Sequence, residues 1–496
     1  MLFTEDATYY ADLVKNKKIS CLKLVEYAID NAIKLQPILN CITITWFDKA
    51  LCQAKKMDRQ LQYLTEDERQ KLPPFYGVPT LLKDLTEFWE GTVTSNGCAL
   101  MRDKVSSRTD AYVQKVLEMG FLPIGRSNVS EFGLKTVADS NAFGAVCLPQ
   151  DITRNPGGSS GGAAAAVKAG IVPIAMGSDA GGSIRVPAGY TGLIGLKPSR
   201  GRIASGPGIY RGFNSLSTQF ALAKSVRDVF TMLKNASVYS PYAMCSLPTI
   251  KEEKIQSLTK PLKIAYSVQS LSDEPTSSDA IKAIKSIVSY LKAMGHEVIE
   301  DAPAIDIVKL FHFYYTTCLV ETGRNLANFK DQSDRVLCKA LGDLAWLSYK
   351  IGPQISAYEY SGMLKDQDIL IEQNAKFYQN YDLFLTPTTI SVAKKQTECA
   401  LPQTLKNLLS NLQSMSIREQ RDVAIQAFDN TYRWTPFTQL MNLTGDPAIS
   451  LPVYETINGL PIGVQISSLK GNEYRLLQVA KDFEEHGLLK THIVSL

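Results

Sequence analysis

The stretch from residue 155 to residue 210 is made mainly of glycine, alanine and serine, with few large side chains before Ile194. Within it, residues 163–168 are strong helix formers followed by a terminating glycine. Residues 171–176 predict a buried strand, although one internal proline weakens the pattern. A Gly/Ser cluster lies on each side of this strand. We therefore expect the two clusters to lie side by side in the folded chain.

The rest of the chain alternates helical patterns with short apolar runs, which favours a sheet covered by helices. Residues 262–266, the helix after them and residues 296–299 form a βαβ-like unit. A length of 496 residues gives a soft prior of about three domains, and a single large α/β body is the other option. Further predicted elements are helices at 110–119, 400–432 and 472–486 and strands at 121–124, 381–385, 447–453 and 461–467.

Composition and charge exclude several classes of protein. The 53 basic and 49 acidic side chains are spread along the chain and give a net charge of +4, so we expect no nucleic-acid partner. The sequence shows no signal peptide and no run of about 18 apolar residues, so we expect no membrane association. The nine cysteines form no Cys-x-x-Cys pair. This pattern indicates reduced thiols in the cytoplasm and argues against structural zinc.

Histidine is scarce, and the Gly/Ser clusters have none nearby in the sequence. A Ser-His-Asp triad there would need a distant imidazole. Gly158-Ser159-Ser160-Gly161-Gly162 matches the nucleophile elbow, but a polar loop precedes it where a strand is required. The same glycines resemble a phosphate-binding loop that lacks its closing Lys-Ser/Thr. Both interpretations stay open, and so does a third, in which the segment is a flexible turn without a function. The four histidines are His296, His312, His486 and His492.

Lysine can replace histidine as the base that activates a serine. A free lysine is protonated at pH 7, and complete burial lowers its pKa by as much as about 3–5 units. The candidate base should therefore lie in an apolar segment. Lys83 meets this requirement because it ends the apolar run at 77–82. Taken alone, Lys83 also fits a surface lysine at the end of a strand.

Several segments together resemble the amidase signature family and cover nearly the whole chain. Their order and spacing are specific, whereas each motif alone is not. The central segments are Tyr76-Gly77-Val78-Pro79 through Lys83-Asp84, then Gly157-Gly158-Ser159-Ser160-Gly161-Gly162, then Gly177-Ser178-Asp179-Ala180-Gly181-Gly182-Ser183-Ile184-Arg185. The flanking segments are Gly125-Arg126-Ser127-Asn128, Gly195-Leu196-Lys197-Pro198, Asn442-Leu443-Thr444-Gly445-Asp446-Pro447 and Leu460-Pro461-Ile462-Gly463-Val464-Gln465.

The resemblance implies a role for each residue at the two clusters. Ser183 would be the acylated nucleophile. Ser159 would be the bridging serine, preceded by a cis peptide bond, and Lys83 the uncharged base. The backbone N–H groups of the oxyanion hole would come from Ala180, Gly181, Gly182 and Ser183. The residues expected to hold the loop and the serines in place are Ser160, Asp179 and Arg185.

The resemblance also implies one α/β domain over residues 1–496, with a signature core at roughly 70–210. Its expected architecture is a twisted mixed sheet covered by helices on both faces. The implied activity is hydrolysis of a small-molecule, non-peptide carboxylic amide, linear or cyclic, without metal or organic cofactor. A homodimer stays open.

Two details bear on which amidase this is. Residues 76–85 and the Asp179-Ala180 pair look most like the branch of 6-aminohexanoate-cyclic-dimer hydrolases. Arg126-Ser127 stands where many family members have Lys-Thr, and Ala180 stands where threonine is more frequent. The alternatives are a subunit of glutamine-amidotransferase type and a catalytically silent binding subunit with the same fold.

Overall fold

Within residues 2–496, which the structure, a computed structural model, describes, eleven β-strands divide between two sheets. The strands are β1 (Ile42–Thr45), β2 (Pro79–Lys83), β3 (Leu122–Ser127), β4 (Ala175–Asp179), β5 (Ile194–Lys197), β6 (Thr218–Ala223), β7 (Lys263–Tyr266), β8 (Glu297–Glu300), β9 (Leu383–Pro387), β10 (Ala448–Glu455) and β11 (Pro461–Ser467).

Both sheets are mixed. The larger sheet has the order β4-β6-β5-β10-β11-β9-β7-β8. Its strands pair antiparallel from β4 to β9, whereas β9, β7 and β8 are parallel. The smaller sheet has the order β1-β3-β2. The two sheets meet where the hydroxyl of Thr80 in β2 donates to the carbonyl of Ile174, just before β4 (2.9 Å). This contact brings Lys83, the last residue of β2, beside β4.

Seventeen α-helices in the same residues pack on the sheets and on one another. None of them is long and apolar enough to cross a membrane. The helices are α1 (Ala7–Lys15), α2 (Cys21–Leu39), α3 (Phe47–Tyr63), α4 (Glu66–Gln70), α5 (Ala111–Glu118), α6 (Gly161–Lys168), α7 (Arg185–Thr191), α8 (Val226–Ala236), α9 (Ser278–Ala293), α10 (Ile307–Leu326), α11 (Asp334–Ala340), α12 (Asp343–Ile351), α13 (Ala357–Phe377), α14 (Gln403–Ser410), α15 (Ile417–Tyr432), α16 (Gln439–Thr444) and α17 (Glu473–Glu485).

Helix α6 explains why the chain needs so many small residues here. All eight of its residues are buried, and it lies against strands of both sheets. A Cβ on Gly162 would lie 2.4 Å from the backbone N of Asn128 and 2.6 Å from the carbonyl O of Cys41. Because backbone lies on both sides, any larger residue would push the smaller sheet away from the helix. The Gly/Ala composition thus sets the distance between the two sheets.

The elements predicted from the sequence are largely confirmed, and one is wrong in its bounds. The predicted strand at 171–176 begins only at Ala175. The N–H of Ile171 instead donates to the carbonyl of Ala166 and closes α6 (2.9 Å). Pro173 has no N–H to offer a neighbouring strand. The strand therefore starts later and runs to Asp179, into the second Gly/Ser cluster.

Gly162→Ala should lower the free energy of unfolding by about 1–3 kcal/mol, because the new methyl group overpacks against backbone. Chemical denaturation measures this. The matched control is Gly362→Ala in the exposed part of α13, where nothing lies within 4 Å of the added Cβ. That substitution should raise stability by about 0.5–1 kcal/mol, since alanine favours helix. Equal effects of the two substitutions would contradict the close packing of α6.

Candidate active site

A cavity of about 410 Å³ opens beside the two Gly/Ser clusters. Ser159, Ser178, Ala180 and Ser183 line it. Its other walls come from the segment after β2, from the loop between β5 and β6, and from the end of α10. The strand β4 and helix α6 that carry the clusters are almost entirely buried, so this cavity is where the serines meet solvent-accessible space.

Lys83 lies beneath this cavity with no exposed surface. Its Nζ donates to Ser178 Oγ (2.9 Å) and to the carbonyl of Ser178 (3.0 Å), and it lies at hydrogen-bond distance from Ser159 Oγ (2.8 Å). Within residues 2–496, Lys83 makes no ion pair with a carboxylate. The sequence alone left open a surface lysine, and this position excludes it.

Burial lowers the pKa of Lys83 to about 7, because the ammonium form loses its hydration. The negative charges of Glu87 and Asp179 act in the opposite direction and limit the shift. A large fraction of the Lys83 side chain is therefore uncharged near neutral pH. This is the state that a base requires.

Glu87 is a second buried ionisable group next to the lysine. One carboxylate oxygen, Oε2, accepts the backbone N–H of Lys83 (2.7 Å). The other, Oε1, is buried without a hydrogen-bond partner in the part of the chain that the structure describes. Burial raises the pKa of Glu87 to about 8, although the N–H and the charge of Lys83 and the charge of Arg126 oppose the shift. The pKa shifts of Lys83 and Glu87 both favour the uncharged form of the side chain.

Arg126, one of the departures from the family pattern, fixes the backbone around these two groups. Its guanidinium is fully buried, and Nη1 donates to the carbonyls of Lys83 and Glu87 (2.8 Å each). Nε donates to the carbonyl of Val93 (2.6 Å). The arginine thus ties the end of β2 to the turn that follows it. The position of the Lys83 side chain depends on that turn.

Ser159 and Ser183 lie next to each other in the structure although a helix and a strand separate them in the sequence. The N–H of Ser160 donates to the carbonyl of Ser183 (3.2 Å). The Gly158–Ser159 peptide bond is cis, as the resemblance implies. A Cβ on Gly158 would lie 2.5 Å from the carbonyl carbon of Val137, so only glycine fits there. Ser183 is 8% exposed and Ser159 only 1%.

Ser160 does not fit a nucleophile. It has no exposed surface, and its Oγ donates to the carbonyl of Ser178 (3.3 Å) and accepts the N–H of the same residue (3.4 Å). A loop, not a strand, leads into α6. Ser160 therefore joins α6 to β4, and the nucleophile-elbow interpretation is wrong in its structural context.

A buried ion pair holds the loop that carries Ser183. Arg185 donates to both carboxylate oxygens of Asp179 (2.9 and 3.0 Å). Asp179 in turn accepts the N–H groups of Gly182 (2.7 Å) and Ile184 (3.2 Å). Burial alone would raise the pKa of Asp179, but the charge and hydrogen bonds of Arg185 hold it well below its usual range. The loop is thus closed around a permanent negative charge.

Three residues far along the chain complete this network, and no individual role was predicted for them. Arg185 donates to Asn442 Oδ1 (2.6 Å), Gln465 Oε1 (2.7 Å) and the carbonyl of Thr438 (2.9 Å). Asn442 and Gln465 belong to the C-terminal segments that resemble the family. Their position in those segments was the sequence feature that could have indicated a role at the site. Ser178, a partner of Lys83, also lies in a segment that resembles the family, whereas Glu87 lies outside these segments and had no such signal.

Of the four N–H groups predicted for the oxyanion hole, one is already engaged within the protein. The N–H of Gly182 already donates to Asp179 (2.7 Å). Within residues 2–496, the N–H groups of Ala180, Gly181 and Ser183 have no protein acceptor. A Cβ on Gly181 would lie 2.0 Å from the Tyr314 hydroxyl, so glycine is required for the loop to adopt this conformation. Of these three residues, Ala180 and Ser183 line the cavity.

No histidine lines this cavity in the described part of the chain. His296 accepts the N–H of Leu262 through Nδ1 (3.0 Å), far from the serines in the fold. All nine cysteines are free thiols, and Cys318 is a buried core residue. Residues 2–496 contain no group of three or more histidine, cysteine, aspartate or glutamate side chains arranged to hold a metal ion.

The family model described as Amidase matches residues 23–477. This chain belongs to the amidase signature family. The resemblance that the motifs indicated and the mixed α/β class are thereby confirmed. The family match and the hydrolases among its relatives indicate an amide carbon–nitrogen hydrolase.

Two curated relatives match nearly the whole of this chain. The lipoamidase of Enterococcus faecalis is 32% identical over 487 residues, 97% of this chain and 63% of the lipoamidase. The chain thus spans less than two thirds of that relative. The 6-aminohexanoate-cyclic-dimer hydrolase of Pseudomonas sp. (strain NK87) is 30% identical over 493 residues, 97% of this chain and 94% of the relative.

A solved structure of 6-aminohexanoate cyclic dimer hydrolase shares the fold, with a TM-score of 0.85 and 27% identity. The match covers 98% of this chain and 97% of that one. The similarity therefore extends over both sheets and the helices around the cavity.

Arg185→Lys should lower both the unfolding free energy and the catalytic rate. A lysine donates from a single nitrogen and cannot reach acceptors on several sides as the guanidinium does, so some buried acceptors would lose their donor, and a broken buried pair costs about 3–5 kcal/mol. Denaturation and turnover per folded molecule measure the two effects. The control is Arg475→Lys, whose partly exposed ion pair with Asp382 lies outside the cavity and should matter little. Normal turnover in Arg185→Lys would contradict the role of this network.

Proposed function

We propose that this chain hydrolyses a carboxylic amide through an acyl-enzyme on Ser183, with Ser159 and Lys83 as the proton relay. The contact that supports this most directly is the 2.8 Å separation of Lys83 Nζ and Ser159 Oγ beneath the cavity that Ser183 also lines. A buried uncharged amine beside a serine hydroxyl is the arrangement that lets lysine act as a base.

In the first step, Lys83 Nζ takes the proton of Ser159 Oγ, and Ser159 Oγ takes the proton of Ser183 Oγ. Ser183 Oγ then forms a bond to the amide carbonyl carbon. An uncharged amine has two N–H groups and one lone pair. Since the carbonyl and hydroxyl of Ser178 accept the two N–H groups, the lone pair is left facing Ser159. Ser178 thereby orients the base.

The negative charge that forms on the carbonyl oxygen needs donors fixed in advance. We assign this role to the N–H groups of Ala180, Gly181 and Ser183, and we leave out Gly182 because Asp179 accepts its N–H. Such donors are typically worth about 3–4 kcal/mol each in the transition state. The buried Asp179–Arg185 pair keeps the loop in one conformation, so no reorganisation is needed as the charge develops.

The relay then runs backwards. The C–N bond breaks as Ser159 passes a proton to the leaving nitrogen and recovers one from Lys83, which gives the free amine and an ester on Ser183. Water, deprotonated by the same relay, attacks the ester carbon. The C–O bond to Ser183 breaks as Lys83 and Ser159 return the proton to Ser183 Oγ, and the carboxylic acid leaves. Lys83 starts both half-reactions uncharged.

The substrate that we propose is a small-molecule carboxylic amide, linear or cyclic, since relatives hydrolyse such compounds by name and a cavity of about 410 Å³ has the volume for one. We propose a cytoplasmic location, which the nine free thiols support. A homodimer stays a prediction that light scattering can test.

A catalytically silent subunit is the alternative from another class. An unpaired buried lysine costs stability, and an apolar residue would fill the same space without that cost. Lys83 makes no ion pair within residues 2–496, so a purely structural role does not explain its position. The proposed base function does.

A serine-directed fluorophosphonate should give one adduct, on Ser183, because only the activated hydroxyl reacts. Mass spectrometry of digested protein locates the adduct. Ser183→Ala should abolish labelling. The matched control Ser217→Ala removes another serine of the cavity wall and should label normally. An adduct on Ser160 would revive the nucleophile-elbow interpretation.

The rate constant kcat/KM should fall tenfold per pH unit below about pH 7, because protonation of Lys83 removes the base.

Lys83→Met should lower kcat/KM by about 10²–10⁴-fold while the protein stays folded. The matched control is Lys168→Met, since Lys168 is also buried but its Nζ has no hydrogen-bond partner in the described residues. Lys168→Met should keep normal turnover. Normal turnover in Lys83→Met would refute lysine as the base.

A further inference from the structure

The cavity wall carries more positive than negative charge. Seven charged residues line it, and five of them are cationic. The cations are Lys104, Arg108, Arg200, Arg211 and Arg324, and the anions are Asp110 and Glu321. A cleft lined mainly by one sign of charge between low-dielectric walls concentrates ligands of the opposite sign.

Some of these charges are already engaged. Arg108 pairs with Asp110 and Arg324 with Glu321, at 3.3 Å in each case. Both carboxylates in the wall are therefore neutralised by cations of the wall itself.

The half-buried Arg200 is also engaged, since its guanidinium donates to the backbone carbonyls of Ser215 (2.7 Å), Asn442 (2.8 Å) and Leu443 (2.8 Å). It adds positive charge to the wall but has a structural use. It holds the loop between β5 and β6 against the start of the C-terminal segment.

Two cations remain unengaged. Lys104 and Arg211 are exposed, and in residues 2–496 neither side chain forms an ion pair or a hydrogen bond. They come from different segments that border the same cavity, one after β2 and one between β5 and β6. Asp103, the neighbour of Lys104, does not line the cavity.

Each of these cations stands beside an exposed apolar side chain. Val105, next to Lys104, is 58% exposed, and Ile209, two residues before Arg211, is 48% exposed. Both line the cavity. The two cations and the two exposed apolar side chains thus line the same cavity.

We propose that the site selects amides carrying an apolar chain that ends in a carboxylate. Lys104 and Arg211 bind the carboxylate at the cavity mouth, while the chain lies against Val105 and Ile209 and the amide reaches Ser183. This proposal rests on the proposed hydrolase function and adds the substrate class. It assigns Lys104 and Arg211 as specificity-determining residues.

The test compares two fluorophosphonates with the same alkyl chain, one ending in a carboxylate and the other in its methyl ester. The rate of adduct formation on Ser183 should be about tenfold higher for the carboxylate at low ionic strength. The ratio of the two rates should fall as salt is added, because exposed charges are screened beyond about 10 Å at 0.1 M.

In the double variant Lys104→Gln/Arg211→Gln, the ratio should fall towards one. The matched control Lys339→Gln removes an exposed lysine of α11 that does not line the cavity, and it should keep the wild-type ratio. Equal rates for the two probes in the wild type, or a ratio that the double variant leaves unchanged, would overturn the substrate class. Absence of any adduct on Ser183 would instead overturn the proposed hydrolase function.

Discussion

The burial of one lysine amine is the constraint on which the rest of this site depends. Lys83 can act on Ser159 only if its ammonium form is made unstable, and the structure does this by enclosing Nζ completely. Enclosure requires that the end of β2, the start of α6 and the strand β4 approach very closely. The small residues of α6 allow that approach, and Gly162 in particular leaves no room for a side chain.

A second buried group, Asp179, is stabilised in its charged form, unlike Lys83. Whereas Lys83 is kept uncharged, Asp179 is kept charged by Arg185, and the pair closes the loop that bears Ser183. Through Asn442 and Gln465 the same arginine joins this loop to segments near the C-terminus. A chain of this length thus forms one site, because residues from its middle and last thirds share a single hydrogen-bond network.

The sequence predicted the fold class and which residues gather at the candidate site, but it did not predict the division into two sheets. Glycine, serine and a lysine at the end of an apolar run are local signals, and the structure brings Lys83 and Ser159 into contact and places Ser183 on the same cavity. The division into two sheets depends on long-range strand pairing, for which no local pattern exists. Glu87 was missed because an isolated acidic residue near a strand end is usually solvated. Gly182 was misjudged because only the coordinates reveal where its N–H points.

The proposed mechanism requires that a large fraction of the Lys83 amine is uncharged at neutral pH in the resting enzyme. This fraction can be measured directly by ¹⁵N NMR of lysine-labelled protein, with the Lys83 resonance assigned by its loss in Lys83→Met. The account predicts a titration midpoint near pH 7. A Lys83 side chain that stays an ammonium ion up to about pH 10, the range of an ordinary lysine, would contradict it.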